Sequence, residues 1–240
     1  MIDEYDAVTA YHYRAYRPPL HGRILAECIE NKGKYPKGLD IGSGTGHSSL
    51  ALTPYCNMVA GVEPSLVMRQ KALKHAQVEY FDYDKNRLPF DDATFDLITL
   101  AGSLYYGKSQ RLLDEIVRVG TKDGSVILYD FELLLDEALH ELDLKNLGES
   151  SYNHQEDFSG LSEQKLSQIR AGSNEMEVNM GANDLAHILL SIKTFYLYLV
   201  DLHRKERLHE KIASLLRPIV GREGFTTKAQ TYYKVYRIVK

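Results

Sequence analysis

The run Gly38-Leu39-Asp40-Ile41-Gly42-Ser43-Gly44-Thr45-Gly46 closes a short apolar strand with an acid followed by three glycines two residues apart. Glycine has no Cβ, so a turn of this composition bends sharply at positive φ with little penalty and lets a ligand lie against bare backbone. The next residues, His47-Ser48-Ser49-Leu50-Ala51-Leu52, predict a helix whose unpaired N–H groups face the same ligand. Spacing separates two classes of nucleoside cofactor. A dinucleotide fingerprint reads G-x-G-x-x-G, its third glycine packing helix on strand. Here that place is His47, and the third glycine falls one residue early at Gly46, which disfavours NAD. A plain glycine-rich turn between strand and helix is the other reading of these residues.

Working outward, Asn57-Met58-Val59-Ala60-Gly61-Val62 predicts a second strand ending in Glu63-Pro64-Ser65. Glu63 lies about 20 residues beyond the turn, where an acid accepts both ribose hydroxyls of either cofactor class. A third strand, Val78 to Phe81, leads into Asp84-Lys85-Asn86-Arg87-Leu88-Pro89-Phe90 and then Asp91-Asp92-Ala93-Thr94-Phe95-Asp96-Leu97-Ile98-Thr99. A helix over Arg111 to Val119, a turn at Lys122-Asp123-Gly124 and a fifth strand, Ser125 to Phe131, follow. Upstream, Leu20, Ile24, Leu25, Cys28 and Ile29 share one face of a helix closed by Gly33. This alternation is the βαβ pattern of a doubly wound parallel sheet.

The acid-led glycine turn, the acid after the second strand, D-x-x-x-L-P-F with D-x-x-F-D, and the helix before the fifth strand together resemble the ordered motifs of class I S-adenosylmethionine-dependent methyltransferases. The resemblance implies an α/β, Rossmann-like sheet of about seven strands, mostly parallel with an antiparallel last strand, plus a helical insertion between the fifth and sixth strands. It places Asp40 near the methionine ammonium group, Glu63 at the ribose and Asp84 at the adenine amino group. The cofactor set it implies also includes Gly42, Ser43, Gly44, Thr45, Gly46, Pro64, Lys85, Ala101 and Ser103. Two departures occur, Asp123-Gly124 for the usual Gly-Gly and Gly120 for the usual Leu, both on a turn away from the cofactor. The segment Tyr11-His12-Tyr13-Arg14-Ala15-Tyr16-Arg17-Pro18-Pro19 is similar to the Y-x-x-Y-R-P lid of small-molecule methyltransferases related to trans-aconitate methyltransferase. Tyr13 and Arg17 would then close on the methionine end, the guanidinium pairing with the carboxylate. An aromatic and basic arm packed on the core is the alternative.

Composition narrows the class. With 240 residues, 44% hydrophobic content and a mean hydropathy of −0.33, one globular domain over 1–240 is expected. It divides into an arm and helix (1–33), a cofactor core (34–132), a helical acceptor insertion (133–203), and a last helix with closing strands (204–240). A net charge of −4 argues against nucleic acid, whose phosphates demand clustered Lys and Arg. No Asn/Asp-Pro-Pro-aromatic box for base amines and no Pro-Cys pair for cytosine is present. Met1 to Asp6 shows no secretory pattern, so the cytoplasm is expected. Cys28 and Cys56 lie far apart without a histidine pair, so no metal and no disulfide is expected. The acid-rich stretch from Leu133 to Glu163 reads as a solvated face rather than a cation site. Leu185, Ile188, Leu189, Ile192, Phe195, Tyr196, Leu199 and Leu202 mark one apolar helix, of core or cap rather than membrane. Lys205 to Arg217 reads as a helix stopped by Pro218, and Phe225 to Val239 as the closing strand.

A sulfonium carries its own leaving group, so methyl transfer gains most from holding the acceptor at near-attack distance in a dry pocket. A base is needed only when the acceptor must lose a proton. Ligands of parallel sheets bind beyond the carboxyl ends of strands, which nominates Ser103, Tyr105, Tyr106 and Asp130. Tyr106 and His154 are the catalytic candidates, with Tyr152, Phe195, Tyr196 and Tyr198 lining the acceptor side. The expected function is transfer of a methyl group from S-adenosylmethionine to O, N or C of a small-molecule acceptor, by a monomer or homodimer with no nucleic-acid or membrane partner. A non-methylating or non-catalytic S-adenosylmethionine-binding protein of the same fold is the alternative, ahead of an NAD-dependent oxidoreductase.

Overall fold

The computed structural model describes residues 6–30, 33–84, 86–144 and 152–240. Five strands run parallel: β1 (Tyr35–Ile41), β2 (Cys56–Val62), β3 (Val78–Phe81), β4 (Phe95–Ala101) and β5 (Gly120–Leu133). With β6 (Leu166–Met180) and β7 (Phe225–Ile238) they form a seven-stranded sheet in the order β3-β2-β1-β4-β5-β7-β6, the last strands antiparallel. This is the doubly wound sheet expected from the sequence. The carboxyl-terminal halves of β1 and β2 bury four consecutive residues each, as strands covered on both faces require. Strand order reverses between β1 and β4, and such a switch point opens a crevice beyond the strand ends.

Nine helices are described: α1 (Ala7–Ala15), α2 (Leu20–Cys28), α3 (His47–Ala51), α4 (Leu66–Gln70), α5 (Gln110–Val119), α6 (Asp136–Glu141), α7 (Ala182–Leu190), α8 (Lys193–His203) and α9 (Leu208–Val220), besides a 3-10 turn at Leu104–Tyr106. α5 shows how local sequence sets an element. Ser109 starts it by accepting the Leu112 N–H at 3.2 Å, a cap that satisfies one orphan donor. Leu112, Leu113, Ile116, Val117 and Val119 then form its buried stripe.

The chain forms two compact units. One gathers Pro19–Phe131, Tyr152–Asn174 and Thr231–Lys240; its core joins Leu39, Ile98, Leu113, Ile116, Val126 and Tyr236. The other gathers Met1–Pro18, Glu132–Ser151 and Glu175–Gln230. In it α7 packs against α1, α8 and α9 through buried Leu185, Ile188, Leu189, Ile212 and Leu216. The expected segments thus regroup, and 133–203 is shared between the two units.

Three sequence expectations are corrected. The segment 133–203 is not a helical insertion between the fifth and sixth strands, because it contains β6; α7 and α8 follow that strand. β6 escaped notice because it is mostly exposed, burying only Leu166, Met176, Val178 and Met180, so its apolar period-2 signal is confined to the end. The apolar run 185–202 is two helices bent by 108°. The Ser191 hydroxyl donates to the Ile188 carbonyl at 2.7 Å, and Ile192 is extended, so the hydroxyl helps end α7. No single described helix is long and apolar enough to cross a membrane. Finally, α9 runs past Pro218 to buried Val220 and stops at Gly221, whose φ is 65°, a glycine terminator.

Candidate active site

The glycine turn adopts φ values of 74°, 54° and 88° at Gly42, Gly44 and Gly46. A Cβ on Gly42 would lie 2.3 Å from the Ser103 Cβ, and one on Gly46 would lie 2.1 Å from the Tyr80 hydroxyl. Both glycines are therefore required twice, by φ and by close approach. Gly42 and Ser43 donate their N–H groups to the Val62 carbonyl at 2.8 and 3.0 Å, locking the turn to the end of β2. Glu63, 8% exposed, accepts the Gly44 N–H on Oε2 at 2.9 Å and the Ser65 N–H on Oε1 at 2.8 Å. Its carboxyl is thus fixed at the turn with lone pairs left for further donors. Burial raises its pKa, partly opposed by those two N–H groups.

Asp40 is fully buried. Its Oδ2 accepts the Ser48 and Ser49 hydroxyls at 2.6 Å each, and its Oδ1 accepts Thr99 Oγ1 at 3.1 Å. Burial raises its pKa against these three donors. In this conformation Asp40 ties β1 to α3 and β4. Ser43 Oγ is the one buried side-chain oxygen without a hydrogen-bond partner among the described residues. Thr45 is buried, its Oγ1 3.1 Å from His47 Nδ1. Pro64 and Asp84 are exposed. The Asn86 and Arg87 N–H groups hold Asp84 below the usual carboxylate value. Lys85 lies outside the described residues. Ala101 ends β4 opposite Tyr129, and Ser103 Oγ donates to the Ile41 carbonyl at 2.5 Å.

The Leu88-Pro89-Phe90 motif is held from α5. Arg118 donates to the Leu88 and Phe90 carbonyls at 3.0 and 2.8 Å and to Glu115 at 2.7 Å, while Glu115 accepts the Leu88 N–H at 2.8 Å. Arg118 keeps the Glu115 carboxyl below its ordinary value.

Beyond the carboxyl ends of β4 and β5 lies a cavity of about 330 Å³ whose lining includes Gly102, Tyr105, Asp130, Tyr152, His154 and Lys234. Asp130 Oδ1 accepts its neighbour's Phe131 N–H at 2.8 Å. Its Oδ2 lies 2.9 Å from both the Tyr152 hydroxyl and His154 Nδ1. The Tyr152 hydroxyl is also 2.5 Å from the Gly102 carbonyl, so its single proton is shared. Ring centroids of Tyr105, Tyr106 and His154 lie 4.7, 5.6 and 4.7 Å from that of Tyr152. The structure thus brings Tyr106 and His154 together around Tyr152 and Asp130. The acidic run is not simply a solvated face: Glu156 pairs with Lys108 at 2.6 Å and Asp157 pairs with Lys234, pinning the loop that carries His154. Sequence reasoning found no partner for Asp130, because its partners sit in a loop with no periodic signal.

Tyr198 belongs to the other unit, where its hydroxyl meets Asp143 at 3.3 Å; Phe195 is half-buried and Tyr196 buried there. Tyr13 and Arg17 also lie in that unit, with the guanidinium carbon 4.1 Å above the Tyr13 ring, a cation–π pair. Among the described residues no group of three or more His, Cys, Asp or Glu is placed to hold a metal ion.

Residues 39–128 match a family described as a methyltransferase domain. Over those residues the chain resembles a class I methyltransferase domain. Such a domain implies S-adenosylmethionine as its cofactor. The turn fits that molecule: bare glycine backbone admits it, the Glu63 carboxyl stands ready for hydroxyl donors, and the partnerless Ser43 hydroxyl is a buried group that a polar ligand satisfies. The chain is 30% identical to an uncharacterised methyltransferase of Bacillus subtilis over 160 residues, 62% of this chain and 56% of that one. It is 33% identical to the demethylmenaquinone methyltransferase of Clavibacter sepedonicus over 98 residues, 39% and 40% of the two chains. The matches span about half the length of these curated relatives. A structure from Anaeromyxobacter dehalogenans described as a type II methyltransferase shares the fold at a TM-score of 0.65 and 19% identity, covering 93% of this chain and 99% of that one.

Proposed function

We propose that this methyltransferase domain transfers a methyl group from S-adenosylmethionine to O, N or C of a small-molecule acceptor bound in the cavity at the ends of β4 and β5. One observation carries the reading. Ser103 packs against Gly42 of the turn, while its neighbours Gly102 and Leu104 line the cavity, so the nucleoside turn and the cavity share one wall within one unit. The cavity volume falls in the range of small-molecule sites, about 300–1,000 Å³, and the net charge of −4 does not favour a nucleic-acid acceptor.

The cofactor supplies a methyl group on positively charged sulfur. In this reading Glu63 takes the ribose hydroxyls, Ser43 and the turn backbone hold the amino-acid end, and Asp84 meets the adenine. Tyr105, Tyr106 and Tyr152 exclude water and orient the acceptor, and that positioning supplies most of the rate. Two buried thiols, Cys28 and Cys56, suit the reducing cytoplasm. A crystal soaked with S-adenosylhomocysteine tests the arrangement. Its sulfur is expected to face the cavity bordered by Gly102 and Tyr105; a sulfur turned away from that cavity would contradict the assignment of the acceptor site.

A further inference from the structure

We propose that His154, positioned by Asp130, is the general base of this site and that the acceptor is a small phenol or enol methylated on its hydroxyl oxygen. This rests on the methyltransferase reading above and narrows it.

The tautomer follows from the acceptors. A carboxylate donates nothing, and Asp130 Oδ2 already faces the Tyr152 hydroxyl at 2.9 Å, so at 2.9 Å from His154 Nδ1 it must receive the imidazole proton. That leaves the basic lone pair on Nε2 and puts a negative charge where it stabilises an imidazolium. The two side chains are 16% and 28% exposed, so neither is wholly screened. Asp130 is held by the Phe131 N–H and lies against Gly102, where a Cβ would meet its Oδ1 at 2.9 Å. The His154 loop is held by the Lys108–Glu156 and Lys234–Asp157 pairs.

A neutral amine already carries the lone pair that attacks a sulfonium methyl, so an oriented Asp–His pair assists its attack less. A hydroxyl is different: it becomes nucleophilic as it loses its proton. The balanced step moves the acceptor's O–H proton to His154 Nε2 while the oxygen bonds to the methyl carbon. The C–S bond breaks with its electron pair going to sulfur, leaving a neutral thioether, a methyl ether and an imidazolium that later returns its proton to water. The Tyr105, Tyr106 and Tyr152 rings, within 4.7 to 5.6 Å of one another, suit a planar aromatic or conjugated acceptor.

The test uses 4-nitrophenol, whose phenolate absorbs distinctly, with the S-adenosylhomocysteine-loaded protein. Bound probe is expected to show phenolate absorbance at a pH where free probe is largely protonated. His154→Gln is expected to reduce the bound probe's phenolate-to-phenol ratio by about tenfold or more, one unit in its pKa, while S-adenosylhomocysteine affinity stays within about twofold. Asp130→Asn is expected to lose part of the signal and to displace its pH midpoint, which a purely structural role would not do. If His154→Gln does not fold, Asp130→Asn carries the test alone. Failure of the wild type to bind S-adenosylhomocysteine would overturn the methyltransferase reading. Binding of S-adenosylhomocysteine with no phenolate signal in the wild type, or with a signal unchanged in both variants, would overturn the base alone.

Discussion

Glu63 shows how far a single residue was legible. Its distance from the glycine turn makes it the candidate for a ribose, and the fold adds that Gly44 and Ser65 fix both carboxylate oxygens. Glu63→Ala is expected to weaken S-adenosylhomocysteine binding by roughly 2 to 4 kcal/mol, two charged hydrogen bonds discounted for water entering the site. Glu63→Gln, which keeps one carbonyl acceptor, should lose less. Calorimetry on both variants decides it, and unchanged binding in a folded Glu63→Ala protein refutes the ribose role. Asp40 and Asp130 were less legible. Each is visible as an acid at a strand end, but their partners come from distant chain: Thr99 on β4 for Asp40, Tyr152 and His154 from a polar loop for Asp130. Spacing cannot announce a hydrogen bond between residues that only the tertiary fold brings together.

At the scale of elements, strong periodicity was readable and exposed edges were not. α5 carries its buried stripe in plain sequence, whereas β6, at the sheet edge, hides most of its alternation in solvent. The bend between α7 and α8 was invisible because both helices bury apolar faces, so the pattern runs on across Ser191. The α5 clamp on the Leu88–Phe90 loop supplies a test that touches no ligand. Arg118→Ala removes donors to the Leu88 and Phe90 carbonyls and to Glu115. It should cost about 2 kcal/mol of stability, the scale of a charged hydrogen bond net of solvent, and should weaken nucleoside binding by loosening the loop after Asp84. Denaturant melts and calorimetry read the two effects; a variant that lost neither would leave the clamp without the role assigned to it.

Over the whole molecule, the two units were not legible, since each is assembled from three separated segments. The helical unit encloses three histidines from three elements: His12 on α1, His187 on α7 and His209 on α9, with His12 Nδ1 2.8 Å from His187 Nδ1 and the His187 and His209 rings stacked at 3.9 Å. Burial, then mutual repulsion, pushes His12 down to about 4, and burial, then His209, pushes His187 down to about 4, against Asp184. The folded unit keeps both rings neutral while the unfolded chain protonates them near 6.5. Their stabilising contribution is therefore complete above pH 6.5 and is lost as pH falls from there through about 4, with uptake of up to about two protons on unfolding. Thermal melts between neutral pH and pH 4 should show this slope, and His12→Gln should flatten it; an unaltered slope would remove the histidine cluster as its source. The central claim, that the turn from Gly42 to Gly46 is an S-adenosylmethionine site and not a dinucleotide site, is tested most directly by thermal shift with S-adenosylhomocysteine and NAD in parallel. At ~100 times its dissociation constant a ligand stabilises by roughly 2.7 kcal/mol. The predicted result is a shift with S-adenosylhomocysteine, reduced in Glu63→Ala, and none with NAD; a shift with NAD and none with S-adenosylhomocysteine would contradict the account.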